Sequence, residues 1–266
     1  MHPQFFTFHT PHYLHGLLPE SITIYWYGLL ITTGSVLAII YIAKEANKQY
    51  NLSWESSIIL LLLMLVSGYI GGKGFLFFED TSFYLSNPAQ LFSGSGFVFY
   101  GSLLFNISTM YIFVKVQKLP LGGMLDIMVI GTSIAHIMGR LGCFMAGCCY
   151  GLPTSGLLSV TFTGSNSQAF PLNSPLHPTQ LYSVALISVI LIMLFRIKKR
   201  KLFDGQLFVS YLIFYASGRT IIEIFRGDLQ RGFIIENYLS HSQFISILII
   251  ASAMYIYYRL YKRAVA

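Results

Sequence analysis

Seven long, mainly apolar runs limit what this sequence can fold into. A helix needs about 20 mainly apolar residues to cross the roughly 30 Å hydrocarbon core of a bilayer. The runs that reach or approach this length are residues 22–43, 57–78, 96–116, 124–144, 178–197, 207–224 and 242–258. The sequence therefore predicts an all-α polytopic membrane protein with seven transmembrane helices.

Composition agrees with that prediction. Only 10% of the 266 residues are charged and 55% are hydrophobic, whereas a soluble domain carries about 25% charged residues. Seven spans with short loops use most of the chain, so we expect one transmembrane domain over residues 1–266. We expect residues 1–21 to form an interfacial arm and residues 151–176 to form an extracytoplasmic loop.

The positions of the basic residues predict the orientation of the chain. Twelve of the 17 lysines and arginines follow the first, third, fifth and seventh runs, at residues 44–48, 115–118, 196–201 and 259–263. These clusters share one side if the seven spans alternate, and positively charged loops face the cytoplasm. We therefore expect an extracytoplasmic N-terminus, a cytoplasmic C-terminus and no nucleic-acid partner, despite the net charge of +7.

The other five basic residues lie within the runs or at their outer ends. They are Lys73, Arg140, Arg219, Arg226 and Arg231. A basic residue inside a span costs about 2.5–3.5 kcal/mol on insertion scales, so a functional role is expected. Arg140 and Arg219 together favour a site for an anionic ligand, of which a phospholipid headgroup is the obvious candidate. Snorkelling to the interface explains Lys73 or Arg231 equally well.

A carboxylate accompanies the arginines of the sixth run. Arg219 and Glu223 are four residues apart and share a face if both are helical, and Arg226 follows three residues later. Glu223 would then hold one guanidinium group while the other binds a phosphate. A self-contained ion pair is the alternative, but it accounts for only one of the two arginines.

All three cysteines lie between Gly139 and Gly151. The spacing of Cys143, Cys148 and Cys149 fits no common zinc motif, and a fourth ligand would have to come from His136 or His177. We therefore expect no metal and no cofactor. Three alternatives stay open: buried inert thiols, a disulfide on an oxidising side of the membrane, and a nucleophilic cysteine activated by Arg140.

Three further stretches contain residues of interest. The glycine-rich start of the third run places Tyr100 near a cavity or in an aromatic belt. A proline in the first helical turn of the fifth run puts His177, Gln180 and Tyr182 near its outer mouth, as site residues or as structural hydrogen-bond partners. Residues 68–74 do not form a phosphate-binding loop, and their small side chains instead indicate close helix packing.

Together these stretches resemble the prolipoprotein diacylglyceryl transferase family of bacterial inner-membrane enzymes. The matching segments occur in the order found in that family. They are Trp26-Tyr27-Gly28, Phe99-Tyr100-Gly101-Ser102-Leu103, Gly139-Arg140-Leu141-Gly142 with Gly151, His177-Pro178-Thr179-Gln180-Leu181-Tyr182, and Gly218-Arg219 with Glu223 and Arg226.

The resemblance implies a multi-pass enzyme of the bacterial inner (cytoplasmic) membrane with seven helices. It implies transfer of a diacylglyceryl group from phosphatidylglycerol, or a similar anionic phospholipid, to the cysteine thiol of a prolipoprotein lipobox. Arg140 and Arg219 resemble the two essential arginines of the family. The candidate catalytic residues are Arg140, Arg219, Tyr100, His177 and Glu223. The candidate substrate-binding residues are Tyr27, Gly101, Gly142, Cys143, Cys148, Gly151, Gln180, Tyr182 and Arg226.

The chain departs from the family pattern at reactive positions. The family usually has His-Gly-Gly where this chain has Tyr100-Gly101-Ser102, and asparagine where it has Cys143. A second asparagine and a glutamate are replaced by Ala146 and Cys148. The chain thus resembles a divergent, cysteine-rich branch. Two alternatives follow: a cysteine-dependent transferase acting on another acceptor, and a lipid-binding or transport protein without transferase activity.

Overall fold

The structure, a computed structural model, describes residues 3–10, 21–91, 98–227, 232–235 and 238–265. Arg231 and the central part of the predicted interfacial arm lie outside these ranges. The helices are α1 (Trp26–Tyr50), α2 (Trp54–Glu79), α3 (Thr81–Ser86), α4 (Pro88–Leu91), α5 (Phe99–Val116), α6 (Leu121–Ala146), α7 (Thr179–Lys198), α8 (Gln206–Glu223) and α9 (His241–Val265). The strands are β1 (Gln4–His9), β2 (Ser21–Tyr25), β3 (Val160–Thr161), β4 (Pro175–Leu176), β5 (Phe233–Ile235) and β6 (Leu239–Ser240).

The long helices coincide with the apolar runs of the sequence. Among the described residues, α1, α2, α6, α7 and α9 are long and apolar enough to cross a membrane. The third and sixth runs form α5 and α8, which have 18 residues each. The sixth run contains the charged residues Arg219 and Glu223. The structure is that of a mainly helical, multi-pass membrane protein.

The start of the first run is not helical, which corrects one prediction. Residues 22–25 belong to β2, which pairs with β1 in an antiparallel hairpin with Phe8 opposite Ile22 and Phe6 opposite Ile24. Isoleucine, threonine and tyrosine favour extended backbone at an amphipathic surface. The helix α1 therefore begins at Trp26, whose backbone N–H donates to the Pro3 carbonyl oxygen at 3.0 Å.

The described chain divides into two compact units whose boundaries fall within α1 and α6. One unit comprises Met1–Ala38 and Met128–Ala266, and the other comprises Ile39–Ile127. In the first unit α8 packs against α7 and α9. In the second unit α2 packs against α5.

Small residues allow α2 and α5 to approach closely. A Cβ atom added to Gly71 would lie 2.4 Å from the carbonyl oxygen of Gly101, and one added to Gly68 would lie 2.9 Å from Ser102 Oγ. This packing confirms the interpretation of residues 68–74 as a close helix contact. It also gives Gly101, a candidate substrate-binding residue, a packing role.

Small residues also bring α1 into contact with the part of α6 that belongs to the first unit, from Met128 onward. A Cβ atom on Gly34 would lie 2.6 Å from Met138 Cβ, and one on Gly142 would lie 3.1 Å from Tyr27 Cδ2. Half of the apolar 18-residue segment of α6 is buried, whereas 11% to 28% of the corresponding segments are buried in the other four candidate spans. This part of α6 contains Arg140 and Cys143.

We expect Gly71→Ala to lower the free energy of unfolding in detergent by about 1–3 kcal/mol, because the added methyl group overpacks the α2–α5 contact. Gly74→Ala is the matched control, since a Cβ atom at Gly74 meets nothing within 4 Å. Thermal unfolding followed by circular dichroism measures both variants. Equal stability of the two variants would contradict this account of the packing.

Candidate active site

The chain reverses sharply where α6 ends. The N–H of Gly147 donates to the Phe144 carbonyl oxygen at 3.3 Å, and the N–H of Cys148 donates to the Cys143 carbonyl oxygen at 3.1 Å. These are the two bonds of a Schellman motif, which needs a left-handed residue just after the helix. Gly147 supplies it with a φ of 77°. The reversal places Cys148 and Cys149 beside the last turn of α6.

The segment after this turn lies between two others and joins them by backbone hydrogen bonds. The Gly151 N–H donates to the His177 carbonyl oxygen at 2.9 Å, and the Leu152 N–H donates to the Phe225 carbonyl oxygen at 2.8 Å. A Cβ atom on Gly151 would lie 2.5 Å from both His177 Cβ and the Phe225 carbonyl oxygen. Only glycine fits there, so Gly151 holds together the segments that precede α7 and follow α8.

Three arginines converge on one narrow pocket, which we call the arginine pocket. Arg140 comes from the last turns of α6, Arg219 from α8 and Arg226 from the turn after α8. Each of the three had been predicted as a site residue from the sequence. The pocket is lined by Arg140, Cys149, Thr179, Ser183, Arg219, Ile222 and Arg226.

Glu223 forms an ion pair with one of these arginines. Its Oε2 atom lies 2.5 Å from Arg219 Nη1, and only 3% of the glutamate side chain is exposed. The helix α8 ends at Glu223. Arg226 therefore reaches the pocket from the following turn, where it forms a β-bridge with Gly151, and not from a continued helical face as expected.

The electrostatics of the arginine pocket favour an anion. Burial, and next the positive charge of Arg219, lower the pKa of Arg226. The guanidinium group still stays charged at physiological pH. An anion entering the pocket would relieve the repulsion among the three cations.

Arg140 is held by a histidine one helical turn earlier. Its Nε atom donates to His136 Nε2 at 3.3 Å. The other ring nitrogen of His136 lies 3.5 Å from the Tyr211 hydroxyl oxygen, and the ring packs against Tyr215 at a centroid distance of 5.3 Å. From the sequence, His136 is a candidate only as a fourth metal ligand. Its spacing of four residues from Arg140 on an apolar helix was the signal for this role.

The start of α7 fixes the cysteine-containing turn. Thr179 Oγ1 donates to the Cys149 carbonyl oxygen at 2.6 Å, and Gln180 Nε2 donates to the Cys148 carbonyl oxygen at 2.7 Å. Both side chains are almost fully buried. Thr179 and Ser183 are not among the residues predicted for the site, although two polar residues four apart in an apolar helix indicate one shared face.

His177 and Tyr182 lie together beside this turn. His177 Nδ1 is 2.9 Å from the Tyr182 hydroxyl oxygen, and both rings contact Phe225. Neither His177 nor Tyr182 lines the arginine pocket. Their contacts agree with the structural reading of the fifth run, in which His177 has a hydrogen-bond partner within the fold.

The three cysteine sulfurs form a cluster at the edge of the arginine pocket. The Sγ atoms of Cys143, Cys148 and Cys149 lie within 4.8 Å of one another, and none is in a disulfide. Hydrogen bonds from the other two thiols, and then the charges of Arg140 and Arg226, lower the pKa of the Cys149 thiol. Cys149 is the one of the three cysteines that lines the pocket.

The remaining candidates lie in α1 and α5. Tyr27 is in the first turn of α1, against Gly142 of α6, and 43% of it is exposed. Tyr100 and Gly101 lie at the start of α5, in the second unit.

Comparison with known proteins identifies the family. The sequence model of the prolipoprotein diacylglyceryl transferase family matches residues 17–259. The chain is similar to the phosphatidylglycerol–prolipoprotein diacylglyceryl transferase of Clostridium tetani (strain Massachusetts / E88), with 36% identity over 240 residues, covering 89% of this chain and 93% of the relative. It is 28% identical to the protein of that name from Dehalococcoides mccartyi (strain ATCC BAA-2100 / JCM 16839 / KCTC 5957 / BAV1), covering 91% of this chain and 92% of the relative.

A third relative carries the same name with the number 2. This protein of Clostridium perfringens (strain 13 / Type A) is 29% identical over 241 residues, covering 89% of this chain and 91% of the relative. The matched range includes every element that lines the arginine pocket. The chain belongs to the prolipoprotein diacylglyceryl transferase family.

Proposed function

We propose that this chain is a multi-pass enzyme of the bacterial inner membrane. It transfers the diacylglyceryl group of phosphatidylglycerol to the cysteine thiol of a prolipoprotein lipobox. The observation that carries the proposal is the convergence of Arg140, Arg219 and Arg226 on one pocket. The family match and the names of the curated relatives support the same donor and acceptor.

The arginine pocket suits the phosphate of a phospholipid headgroup. A guanidinium group binds two phosphate oxygens through parallel N–H donors, and such charge-assisted hydrogen bonds are stronger than neutral ones. The lining side chains are largely withdrawn from solvent, so the attraction is screened less than at a surface. We assign Arg140 and Arg219 to the phosphate, with Arg226 as a further donor.

The reaction increases the negative charge that these arginines face. The acceptor sulfur attacks the diacylglyceryl carbon that is bonded to the phosphate oxygen. A C–S bond forms, the C–O bond breaks, and its electron pair stays on the oxygen of the departing glycerol phosphate. Donors placed before the reaction at the point where charge develops stabilise the transition state more than the ground state.

The remaining candidates have positioning or proton-handling roles in this proposal. Glu223 orients Arg219 through their ion pair, and His136 orients Arg140. Tyr100 and His177 are the candidate groups for the acceptor proton. Tyr27 and Gly142, which pack together, form the adjacent wall contributed by α1 and α6.

The geometry of the pocket also supports seven spans with an extracytoplasmic N-terminus. Arg140 lies near the end of α6, Thr179 at the start of α7 and Arg219 near the end of α8. Spans that alternate in direction bring these three ends to the same side. In the same unit, the basic clusters at residues 196–201 and 259–263 lie at the far ends of α7 and α9, which face the cytoplasm under the positive-inside rule. The pocket then opens to the outer half of the bilayer.

We expect Arg140→Gln and Arg219→Gln each to lower kcat by about 100- to 1,000-fold, the typical effect of removing one preorganised donor to developing charge. The assay is release of glycerol phosphate from labelled phosphatidylglycerol by the full chain with a lipobox peptide. Arg196→Gln is the matched control, because Arg196 is exposed at the far end of α7. Lipid binding without any release by the unmodified chain would favour the lipid-binding alternative instead.

We expect Glu223→Gln to reduce kcat/KM only because it disturbs the position of Arg219. The isosteric amide removes the buried negative charge that holds the guanidinium group. A double-mutant cycle measures the dependence. The variant Arg219→Gln with Glu223→Gln should be no less active than Arg219→Gln alone. Additive losses would show that Glu223 has a separate role.

We expect His136→Phe to lower kcat/KM about 10- to 100-fold, since a hydrogen bond to a charged group contributes about 1.5–3 kcal/mol. His136→Gln keeps an acceptor near the position of Nε2 and should retain most of the activity. Steady-state kinetics of both variants, with helicity measured as a control for folding, tests the assignment. An equal loss of kcat/KM in both variants would show that the role of His136 is not to accept a hydrogen bond from Arg140.

A further inference from the structure

The sulfur cluster has the geometry of a metal site. The three Sγ atoms lie within 4.8 Å of one another. A zinc ion about 2.3 Å from each sulfur keeps its thiolates roughly 4 Å apart, so small side-chain rotations bring all three onto one ion. Within the described residues, this is the one group of three or more histidine, cysteine and acidic side chains with ligand atoms placed so closely. Neither His136 nor His177 belongs to it.

The backbone around the cluster is held in place before any ion binds. Cys149 has a φ of 59°, a left-handed conformation that is uncommon for a residue with a side chain. Such backbone persists where the surrounding structure fixes it. Here the buried side chains of Thr179 and Gln180 hold the carbonyl groups of Cys149 and Cys148. They form the outer shell of hydrogen bonds that orients metal ligands in proteins.

The charge around the cluster suits a metal–thiolate complex. Three thiolates and one Zn²⁺ ion carry a single net negative charge, which increases when a thiolate takes the fourth position. Cys149 lines the same pocket as Arg140, Arg219 and Arg226. Guanidinium groups close to the complex offset its charge, which a purely apolar surrounding would not do.

The donor set selects the class of metal and leaves one position open. Sulfur ligands favour borderline or soft ions such as Zn²⁺, whereas Mg²⁺ and Ca²⁺ prefer oxygen. Structural zinc sites have four protein ligands, and catalytic sites have three with an open fourth position. Among the described residues no fourth protein ligand lies with the three cysteines, which matches the catalytic arrangement.

We propose that Cys143, Cys148 and Cys149 bind one Zn²⁺ ion through three thiolates, with the fourth position on the side of the arginine pocket. The acceptor thiol of the substrate binds at that position as a thiolate. This second step rests on the proposed transfer to a lipobox cysteine.

The chemistry of the transfer gives this ion a role. A thiol that coordinates Zn²⁺ loses its proton at physiological pH, and the thiolate is the nucleophile. With the ion bound the proton passes to solvent, so neither Tyr100 nor His177 has to accept it. The zinc-bound sulfur then attacks the diacylglyceryl carbon as the C–O bond to phosphate breaks. The product is a thioether, which carries no charge and is a weaker ligand than a thiolate, so it leaves the ion. No oxidant or reductant is needed.

Metal analysis of the full chain in detergent tests the site independently of activity. We expect about one zinc ion per chain and its loss in Cys143→Ser and Cys149→Ser. We expect its retention in Arg219→Gln, which should nevertheless release glycerol phosphate about 100- to 1,000-fold more slowly. Thr179→Val keeps all three sulfurs and should weaken zinc binding by about 10- to 100-fold, measured by competition with a chromophoric chelator. A folded chain that binds no zinc, or a disulfide between any two of the three cysteines in chain purified without oxidant, would overturn the site.

Cobalt substitution tests the fourth position. Thiolate-to-cobalt charge-transfer absorption should change when a lipobox peptide is added, and should not change with the same peptide carrying serine in place of cysteine. An unchanged spectrum with both peptides would overturn binding of the acceptor at the ion.

The glycerol phosphate assay separates this proposal from the proposed function. Release that stops after chelation and returns with added zinc supports both. Release at the unmodified rate from metal-free chain overturns the role of zinc and leaves the transferase assignment standing. Bound zinc and a peptide-dependent cobalt spectrum without any release overturn the transferase assignment and leave the metal site standing.

Discussion

The repulsion among three guanidinium groups in one pocket is the constraint on which the site depends. Arg140, Arg219 and Arg226 face the same small volume, where charges are screened less than in water. One buried carboxylate, that of Glu223, pairs with Arg219, and a histidine nitrogen accepts a hydrogen bond from Arg140. Among the described residues that line or adjoin the pocket, the arginines outnumber the carboxylates, and an anionic headgroup would add negative charge beside them.

Backbone geometry around a single turn brings the parts of the site together. The glycine cap after α6 reverses the chain, and Gly151 then lets it pass between the segments beside His177 and Phe225. The segment after α6 is in this way hydrogen-bonded to the start of α7 and to the turn after α8, although residues 147–178 separate α6 from α7 along the chain. The same turn carries two of the three cysteines, so the sulfur cluster and the arginine pocket share one scaffold.

The helical fold was largely predictable, because the hydrocarbon core of a bilayer imposes both the length and the apolar character of a spanning helix. The apolar runs therefore located the long helices. The exception was residues 22–25. Their apolar composition did not distinguish a strand from a helix, and they form a strand because they pair with β1. Arg140, Arg219, Glu223 and Arg226 could be proposed as site residues from the sequence, because a charged residue inside a span is costly. The hydrogen bonds that His136 and Thr179 make in the site were not predicted, because neutral polar residues are common in such helices.

By itself the sequence determined that the chain enters a membrane repeatedly, and which charged residues have to be accommodated there, because both follow from the cost of transferring each residue type from water to hydrocarbon. Only the tertiary structure decided that residues from α6, α8 and the turn after α8 share one pocket. It also decided that three thiols with no recognisable spacing lie within reach of a single ion. Contacts between residues distant in the chain depend on packing and on backbone turns, which local sequence patterns do not encode.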